Sequence, residues 1–394
     1  MGEIVVRYDF ETTVSRKDMG NLKAAFNSER ITEKGFISYW GAEFDFKTAP
    51  AILDALSKLV ENGLFGYTIC TDDYLNRVKW WLSSQRDYLV DKEWVIPTYG
   101  TIFSLATTIR AFTEVGDAVI VMTPGYNRYI AAAQHNGRQV IQSQLIDNGE
   151  SYTIDFDDLS EKMKRPKAKI LVVCNPNNPT GSIWKREDLQ TIDELAVAND
   201  ILVFSDEIFS EVVFEGNMVV PYSKIARTDS RNITCTSLGK AFSMTGINHA
   251  NVIIPNDQVR RAFLRQRQTD HFGSIDPFAH AALVGAYTQE GADWLREMRS
   301  YVYGNYQYID KFFREHFPKV KVRKPEGTYV LWIDFSGMKR EDKALREFLF
   351  DEALFLLDTG DEYGGEAGFM RMNIAAPRHE IKKSLNYLLK VAKS

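Results

Sequence analysis

The feature that most constrains this chain is a repeated alternation between short apolar runs and longer helix-like stretches. The runs, rich in β-branched residues, lie at 94–96, 118–122, 170–173, 201–204, 233–236 and 252–254. Between them lie helix-like stretches near 101–114, 126–136, 186–199 and 257–268. Strands that are buried on both faces read as continuous apolar runs. The alternation therefore predicts an α/β fold with a doubly wound, mostly parallel sheet.

The pattern changes after about residue 285. A helix-like segment at 293–317 precedes strand candidates at 329–335 and 369–374, with further helix-like stretches near 341–355 and 378–392. This α+β pattern predicts a second, smaller domain. We expect an N-terminal arm over residues 1–45 that contributes to the small domain, a large domain over 46–285 and a small C-terminal domain over 286–394.

Charge and cysteine content exclude several classes of protein. The formal net charge is −5 without a long basic run, so we expect no binding to nucleic acid. Cys70, Cys174 and Cys235 lack metal-ligand spacing, and so sparse a set is typical of a reducing compartment. The apolar stretch at residues 4–6 is too short for a signal-peptide core, and no run approaches the roughly 20 residues that span a bilayer. We expect a cytoplasmic protein that binds neither a metal nor a membrane.

Ligands in open α/β sheets bind outside the carboxyl ends of the strands. One loop at such an end carries Lys240, in the small-residue sequence Ser237-Leu-Gly-Lys-Ala-Phe242. A free lysine titrates near ~10.4, and burial near apolar or cationic groups lowers that value and favours imine formation with an aldehyde. The alternative is a solvated loop lysine.

Asp206 follows the apolar run at 201–204, with only Ser205 between them. A carboxylate buried at such a position must be paired, and a pyridinium nitrogen is a partner that fits. A negative charge there keeps the nitrogen protonated, which makes the ring an electron sink. The alternative is an ordinary helix-capping aspartate, because aspartate is a favoured cap.

Two further segments suit a phosphorylated aromatic ligand. Gly100 and Thr101 stand at a strand-to-helix junction, where backbone N–H groups bind phosphate, although a plain helix cap has the same sequence. Ser237 is placed to turn its hydroxyl toward the same phosphate. Asn178, in the turn-rich loop Asn175-Pro-Asn-Asn-Pro-Thr-Gly181, is placed to donate an amide hydrogen bond to a phenolic oxygen.

Tyr126, after Pro124 and Gly125, is placed to pack an aromatic ring against a cofactor face. Arg371, in Gly368-Phe-Met-Arg-Met-Asn373, suits a bidentate clamp on a substrate carboxylate. A surface ion pair is the alternative for that arginine. No single motif decides the function, but each one falls where a binding crevice is expected.

Taken in order, these motifs resemble the class I/II aminotransferases of pyridoxal-5′-phosphate (PLP) fold type I, over about residues 36–390. Within that superfamily the chain is most similar to the cystathionine β-lyase-like C–S lyases. The narrower resemblance is carried by four segments, namely residues 40–46, 65–68, 294–305 and 325–335.

The resemblance implies a role for each matching residue. Lys240 would form the Schiff base with PLP, Asp206 would face the pyridine nitrogen and Tyr126 would stack on the ring, so these three would carry catalysis. Arg371, Trp40 and Asn178 would bind the amino-acid substrate, and Asn178 would also bond the phenolic oxygen. The phosphate would be held by Gly100, Thr101 and Ser237, with Tyr67 reaching it from the neighbouring subunit of a homodimer with shared active sites.

Two positions depart from the superfamily pattern. Phe209 stands where many relatives carry a Tyr or His that donates to the phenolic oxygen. Losing that donor predicts a more basic oxygen and a Schiff-base proton that is held more tightly. Asn248 stands where many aminotransferases place an arginine against the phosphate, and the C–S lyase branch also tends to lack that arginine.

The resemblance implies that Lys240, once released, removes the substrate α-proton. A thiolate on the β-carbon would then leave, giving pyruvate and ammonia. If Lys240 instead returned the proton to the cofactor, the enzyme would be an aminotransferase. We expect β-elimination, with transamination as the main alternative, other PLP chemistry such as cyclisation or γ-replacement next, and a cofactor-free binding protein as a further alternative.

Overall fold

The computed structural model describes residues 7–26, 31 and 33–393, so the apolar stretch at 4–6 lies outside it. Along this part of the chain the first nine strands are β1 (Val95–Thr98), β2 (Ala118–Thr123), β3 (Gln139–Gln144), β4 (Ile146–Asp147), β5 (Tyr152–Thr153), β6 (Ala168–Cys174), β7 (Leu202–Asp206), β8 (Asn232–Thr236) and β9 (Ala250–Ile253). One sheet has the order β1-β9-β8-β7-β6-β2-β3, whereas β4 and β5 pair only with each other.

The large sheet is mostly parallel, as the sequence predicts. Neighbours from β8 through β3 pair in parallel, and β9 runs antiparallel to both of its neighbours. The register places Cys174 opposite Asp206 and Asp206 opposite Cys235. The residues that follow these strands therefore lie side by side at one edge of the sheet.

Apolar side chains cover both faces of the sheet. Ala118, Ile120 and Met122 of β2 belong to one buried cluster, and the intervening Val119 and Val121 belong to another. This alternation confirms a sheet that is packed on both sides, which is why its strands read as unbroken apolar runs. The edge strand β3 escaped prediction because its sequence, QVIQSQ, alternates between exposed and buried residues.

Helices connect and cover these strands. In chain order they are α1 (Leu22–Phe26), α2 (Pro50–Asn62), α3 (Asp72–Arg86), α4 (Thr101–Phe112), α5 (Asn127–His135), α6 (Phe156–Met163), α7 (Arg186–Ala198), α8 (Tyr222–Ile225), α9 (Leu238–Ala241), α10 (Asp257–Thr269) and α11 (Pro277–Ala286). The four helix-like stretches predicted between the apolar runs correspond to α4, α5, α7 and α10. No helix among the residues that the structure describes is long and apolar enough to cross a membrane.

The C-terminal part contains a four-stranded antiparallel sheet of order β10-β11-β13-β12. In chain order, the helices and strands of this C-terminal part are α12 (Gln289–His316), β10 (Lys321–Val322), β11 (Val330–Asp334), α13 (Asp342–Arg346), β12 (Asp358–Thr359), β13 (Phe369–Asn373) and α14 (Arg378–Ala392). The helix predicted at 341–355 is instead α13 followed by a π-helical turn, Glu347–Glu352.

The segment at residues 39–45 lies along strand β13. Tyr39 accepts a backbone hydrogen bond from Asn373 N, and Asp45 N donates one to Ala375 O, both at 2.9 Å. The segment at residues 39–45 is thereby joined to the small sheet, and the arm over residues 1–45 stays a prediction. The domain limits at residues 45 and 285 stay predictions from the sequence.

Candidate active site

One cavity of about 230 Å³ lies between the carboxyl edge of the large sheet, the small sheet and the segment at residues 40–43. It is lined by the predicted site residues Trp40, Tyr126, Asn178, Lys240 and Arg371. Side chains that the sequence analysis had not assigned to the site also line it, among them Tyr129, Tyr363 and Asp358. Residues from distant parts of the chain thus converge at the predicted edge of the sheet.

Lys240 occupies the short helix α9, whose first turn is capped by the Ser237 hydroxyl accepting from Gly239 N at 3.0 Å. Its Nζ donates to the Ala42 carbonyl oxygen at 3.0 Å and lies 5.8 Å from the centre of the Phe209 ring. Burial, and then the nearby Arg371 cation, lower the pKa of Lys240 to about 8. The amine is therefore neutral far more readily than a surface lysine.

Asp206 ends β7 and is buried. Its carboxylate accepts from the Tyr129 hydroxyl at 2.5 Å and from Ile208 N at 3.1 Å. Burial raises its pKa to about 6, because no cationic side chain of the described residues forms an ion pair with it. A cationic ligand atom would supply the partner that this buried acid lacks.

Tyr129 was missed by the sequence analysis. It lies on α5 three residues after Tyr126, and the two rings meet edge to face with centres 5.5 Å apart. The only signal in the sequence is this spacing, since residues three apart share a helix face.

Arg371 on β13 is buried and is held from two sides. Its Nη1 donates to Asn178 Oδ1 at 2.9 Å, and its Nε and Nη2 donate to Asp358 Oδ2 at 3.0 and 2.8 Å. Because Asn178 uses its oxygen for Arg371, its amide nitrogen keeps its hydrogens for a ligand. The ion pair that Arg371 forms is therefore buried and not the surface pair that its sequence also allowed.

Phe209 is buried beside Lys240, and its ring packs edge to face on Tyr329 with centres 5.4 Å apart. A hydrocarbon therefore stands at the position where a Tyr or His would donate a hydrogen bond. Trp40 and Tyr126 are half-buried at the cavity wall.

The expected phosphate site is the N-terminus of α4. Gly100, the N-cap residue of α4, has a φ of 117°, which a residue with a side chain rarely adopts. No side chain caps this twelve-residue helix in the described structure, so its first N–H groups stay available for an anion. Thr101 accepts a weak hydrogen bond from the Cys235 thiol at 3.7 Å, which places it beside β8.

Ser237 and Tyr67 are the two remaining residues predicted to contact the phosphate. The Ser237 hydroxyl donates to the His249 carbonyl oxygen at 2.7 Å and must turn before it can donate to a phosphate. Tyr67 is fully exposed, and its contact with the phosphate of a neighbouring subunit stays a prediction.

This set of groups fits PLP. A lysine with a lowered pKa suits the aldehyde, a buried acid without a cation suits the ring nitrogen, and an uncapped helix N-terminus suits the phosphate. Groups of three or more potential metal ligands are absent from the described segments.

Known proteins similar to this chain include PLP-dependent enzymes. The family model described as aminotransferase class I and II matches residues 42–388. Cystathionine beta-lyase PatB of Bacillus subtilis is 32% identical over 85% of this chain and 87% of that protein. Protein MalY of Escherichia coli is 29% identical over 97% and 98%.

The crystal structure of cystalysin from Treponema denticola, which contains pyridoxal 5′-phosphate, superposes with a TM-score of 0.91. It is 32% identical, and the match covers 98% of this chain and 99% of that one. The resemblance drawn from the sequence is thereby confirmed. The chain belongs to the class I and II aminotransferase family of PLP-dependent enzymes.

Proposed function

We propose that this enzyme is a carbon–sulfur β-lyase that converts cystathionine or another S-substituted cysteine into pyruvate, ammonia and a thiol. The observation that carries the proposal is the similarity to a cystathionine β-lyase, 32% identical over 85% of the chain. The cavity supports it, because a lysine with a lowered pKa and a buried arginine face one space of amino-acid size.

When bound, PLP supplies an aldehyde for the substrate amine and an aromatic ring that withdraws electrons. Lys240 acts as the general base that takes the substrate α-proton, a role that its pKa of about 8 suits. Arg371, fixed by Asn178, binds the substrate carboxylate. Asp206 would face the ring nitrogen with its negative charge, and Tyr126 would pack against the ring.

Gly100, Thr101 and Ser237 would hold the cofactor phosphate. Trp40 packs beside the substrate at the cavity wall. After proton removal, a thiolate leaving group on the β-carbon departs with the C–S electron pair. Lys240 gives the α-proton up to the departing thiolate and not to the cofactor, which distinguishes a lyase from a transaminase within the same set of residues and leaves the amine neutral for the next turnover.

Transamination is the second candidate function. It is favoured by the family match itself and by the fact that every residue named above serves both reactions. The experiment is to give the PLP-loaded protein L-cystathionine without any oxo acid. A lyase releases pyruvate, ammonia and thiol in equal amounts at a steady rate, whereas failure to release thiol would refute the proposal.

We further propose a homodimer in which Tyr67 reaches the phosphate bound by the partner. Tyr67, Leu64 and Ile69 expose 101%, 76% and 75% of their surfaces, an apolar patch that a second subunit would cover. The test mixes Lys240→Ala subunits with Tyr67→Ala subunits. Hybrids regain activity if Tyr67 serves the partner, and they stay inactive if it serves its own site.

We also propose a cytoplasmic location. Its support is that Cys70, Cys174 and Cys235 are all free thiols, as is usual in a reducing compartment. Fractionation of the source cells would test this location.

A further inference from the structure

Asp358 is a buried acid next to the proposed carboxylate clamp. It lies on the two-residue strand β12, directly across from Arg371 on β13. The side chains of Asp358 and Arg371 expose only 3% and 4% of their surfaces. Two hydrogen bonds from the guanidinium, at 2.8 and 3.0 Å, reach a single oxygen, Asp358 Oδ2.

This pairing fixes the charge and the direction of Arg371. A buried guanidinium without a partner is strongly destabilising. Asp358 therefore offsets the desolvation cost of burying Arg371 before any substrate binds. A guanidinium has five N–H donors, and the contacts with Asp358 and Asn178 leave one on each terminal nitrogen. Those two donors match the two oxygens of one carboxylate.

Asp358 also holds the segment that covers Lys240. Gly41 N lies 3.2 and 3.3 Å from the two oxygens of the Asp358 carboxylate. One residue further along the chain, the Ala42 carbonyl oxygen accepts from Lys240 Nζ and from the Tyr329 hydroxyl, each at 3.0 Å. One carboxylate thus connects the clamp with the short segment that contacts the base.

We propose that Asp358 is a positioning residue that aims Arg371 at the substrate α-carboxylate and, by accepting from Gly41 N, anchors the segment whose Ala42 carbonyl oxygen contacts Lys240. The proposal rests on the proposed function only in that the substrate is an α-amino acid. It predicts that loss of Asp358 harms ligands that carry a carboxylate and spares amines of the same shape that lack one.

The test measures ligand affinity in the PLP-loaded enzyme from the change in its visible band. The two ligands are 2-methylalanine, which has a carboxylate but no α-proton, and isopropylamine, the same skeleton without the carboxylate. Asp358→Ala is expected to weaken 2-methylalanine by about tenfold or more, which corresponds to about 1.4 kcal/mol. Binding of isopropylamine should change by less than about twofold, a difference of about 0.4 kcal/mol.

Two further variants separate positioning from general damage to the fold. Asp358→Asn keeps an oxygen for Arg371 and should fall between the wild type and Asp358→Ala. Asp361→Asn, which removes an exposed acid paired with Arg346 at 2.9 Å, should leave both ligands unchanged. Equal weakening of both ligands, or no weakening of 2-methylalanine, would overturn the role of Asp358.

Neither ligand can lose a thiol, so this result does not depend on whether the enzyme is a lyase or an aminotransferase. Product analysis with L-cystathionine decides that separate question. The two proposals therefore fail on different measurements.

Discussion

Replacing Asp206 by asparagine should stabilise the protein without its cofactor. The pKa of this buried carboxyl is raised from 3.8 to about 6, so the folded state disfavours the charged form. A carboxyl group whose pKa is higher in the folded protein than in the unfolded chain destabilises the fold when it ionises. The cost in free energy of unfolding grows as the pH rises between the two pKa values and is constant above the higher one. At ~1.36 kcal/mol per pKa unit, a difference of about two pKa units lowers the free energy of unfolding by about 3 kcal/mol at neutral pH.

Asparagine removes this cost because it stays neutral, and the Tyr129 hydroxyl can rotate to accept from its amide. With an unfolding entropy of ~2.1 cal/mol/K per residue over the chain, the gain corresponds to roughly 4 °C in melting temperature. The assay is thermal unfolding of the apoprotein at pH 7.5 and at the lowest pH at which it stays folded. The difference between the variant and the wild type should shrink toward acid pH.

Asp193→Asn is the matched control. This buried carboxylate already accepts from the Tyr222 and Ser230 hydroxyls and from Arg227 N, so its replacement offers no comparable gain. With PLP bound, Asp206→Asn should instead lower the melting temperature, because the variant loses the charged carboxylate that would pair with the ring nitrogen. An Asp206→Asn apoprotein that melts at or below the wild-type temperature at pH 7.5 would refute the reasoning.

Three other predictions concern Lys240 and its surroundings. Lys240→Ala should abolish both the visible band of the bound cofactor and turnover; a variant that keeps the band would show that another residue holds PLP. Phe209→Tyr should lower the pKa seen when the visible band is titrated, because it adds a donor to the phenolic oxygen, and an unchanged titration would place Phe209 away from that oxygen. Reloading of the apoprotein with PLP should speed up with pH and level off above about 8, since only the neutral amine attacks the aldehyde, and a midpoint near 10.5 would contradict the lowered pKa of Lys240.

Much of the large sheet could be predicted because its central strands are buried on both faces and read as apolar runs. Strand β3 could not, since an edge strand such as QVIQSQ alternates and carries polar residues. The π-helical turn at Glu347–Glu352 also escaped prediction, because its residues carry the same apolar periodicity as a regular helix.

The site shows the same division. Asn178, Asp206 and Lys240 could be predicted because they lie at or just after the carboxyl ends of neighbouring strands, which meet at one edge. Tyr129 and Asp358 could not, because each acts through a contact that only the folded chain creates. In particular, nothing in the sequence pairs Asp358, on a strand of two residues, with Arg371 thirteen positions later.

The most direct test of the central claim follows product and cofactor together. The PLP-loaded enzyme is incubated with S-methyl-L-cysteine and no oxo acid, while pyruvate and the visible spectrum are recorded. A C–S β-lyase releases many pyruvate molecules per subunit with matching thiol, and its visible band persists. Conversion of one equivalent of cofactor to its amine form, with no further turnover until an oxo acid is added, would contradict the account and establish an aminotransferase.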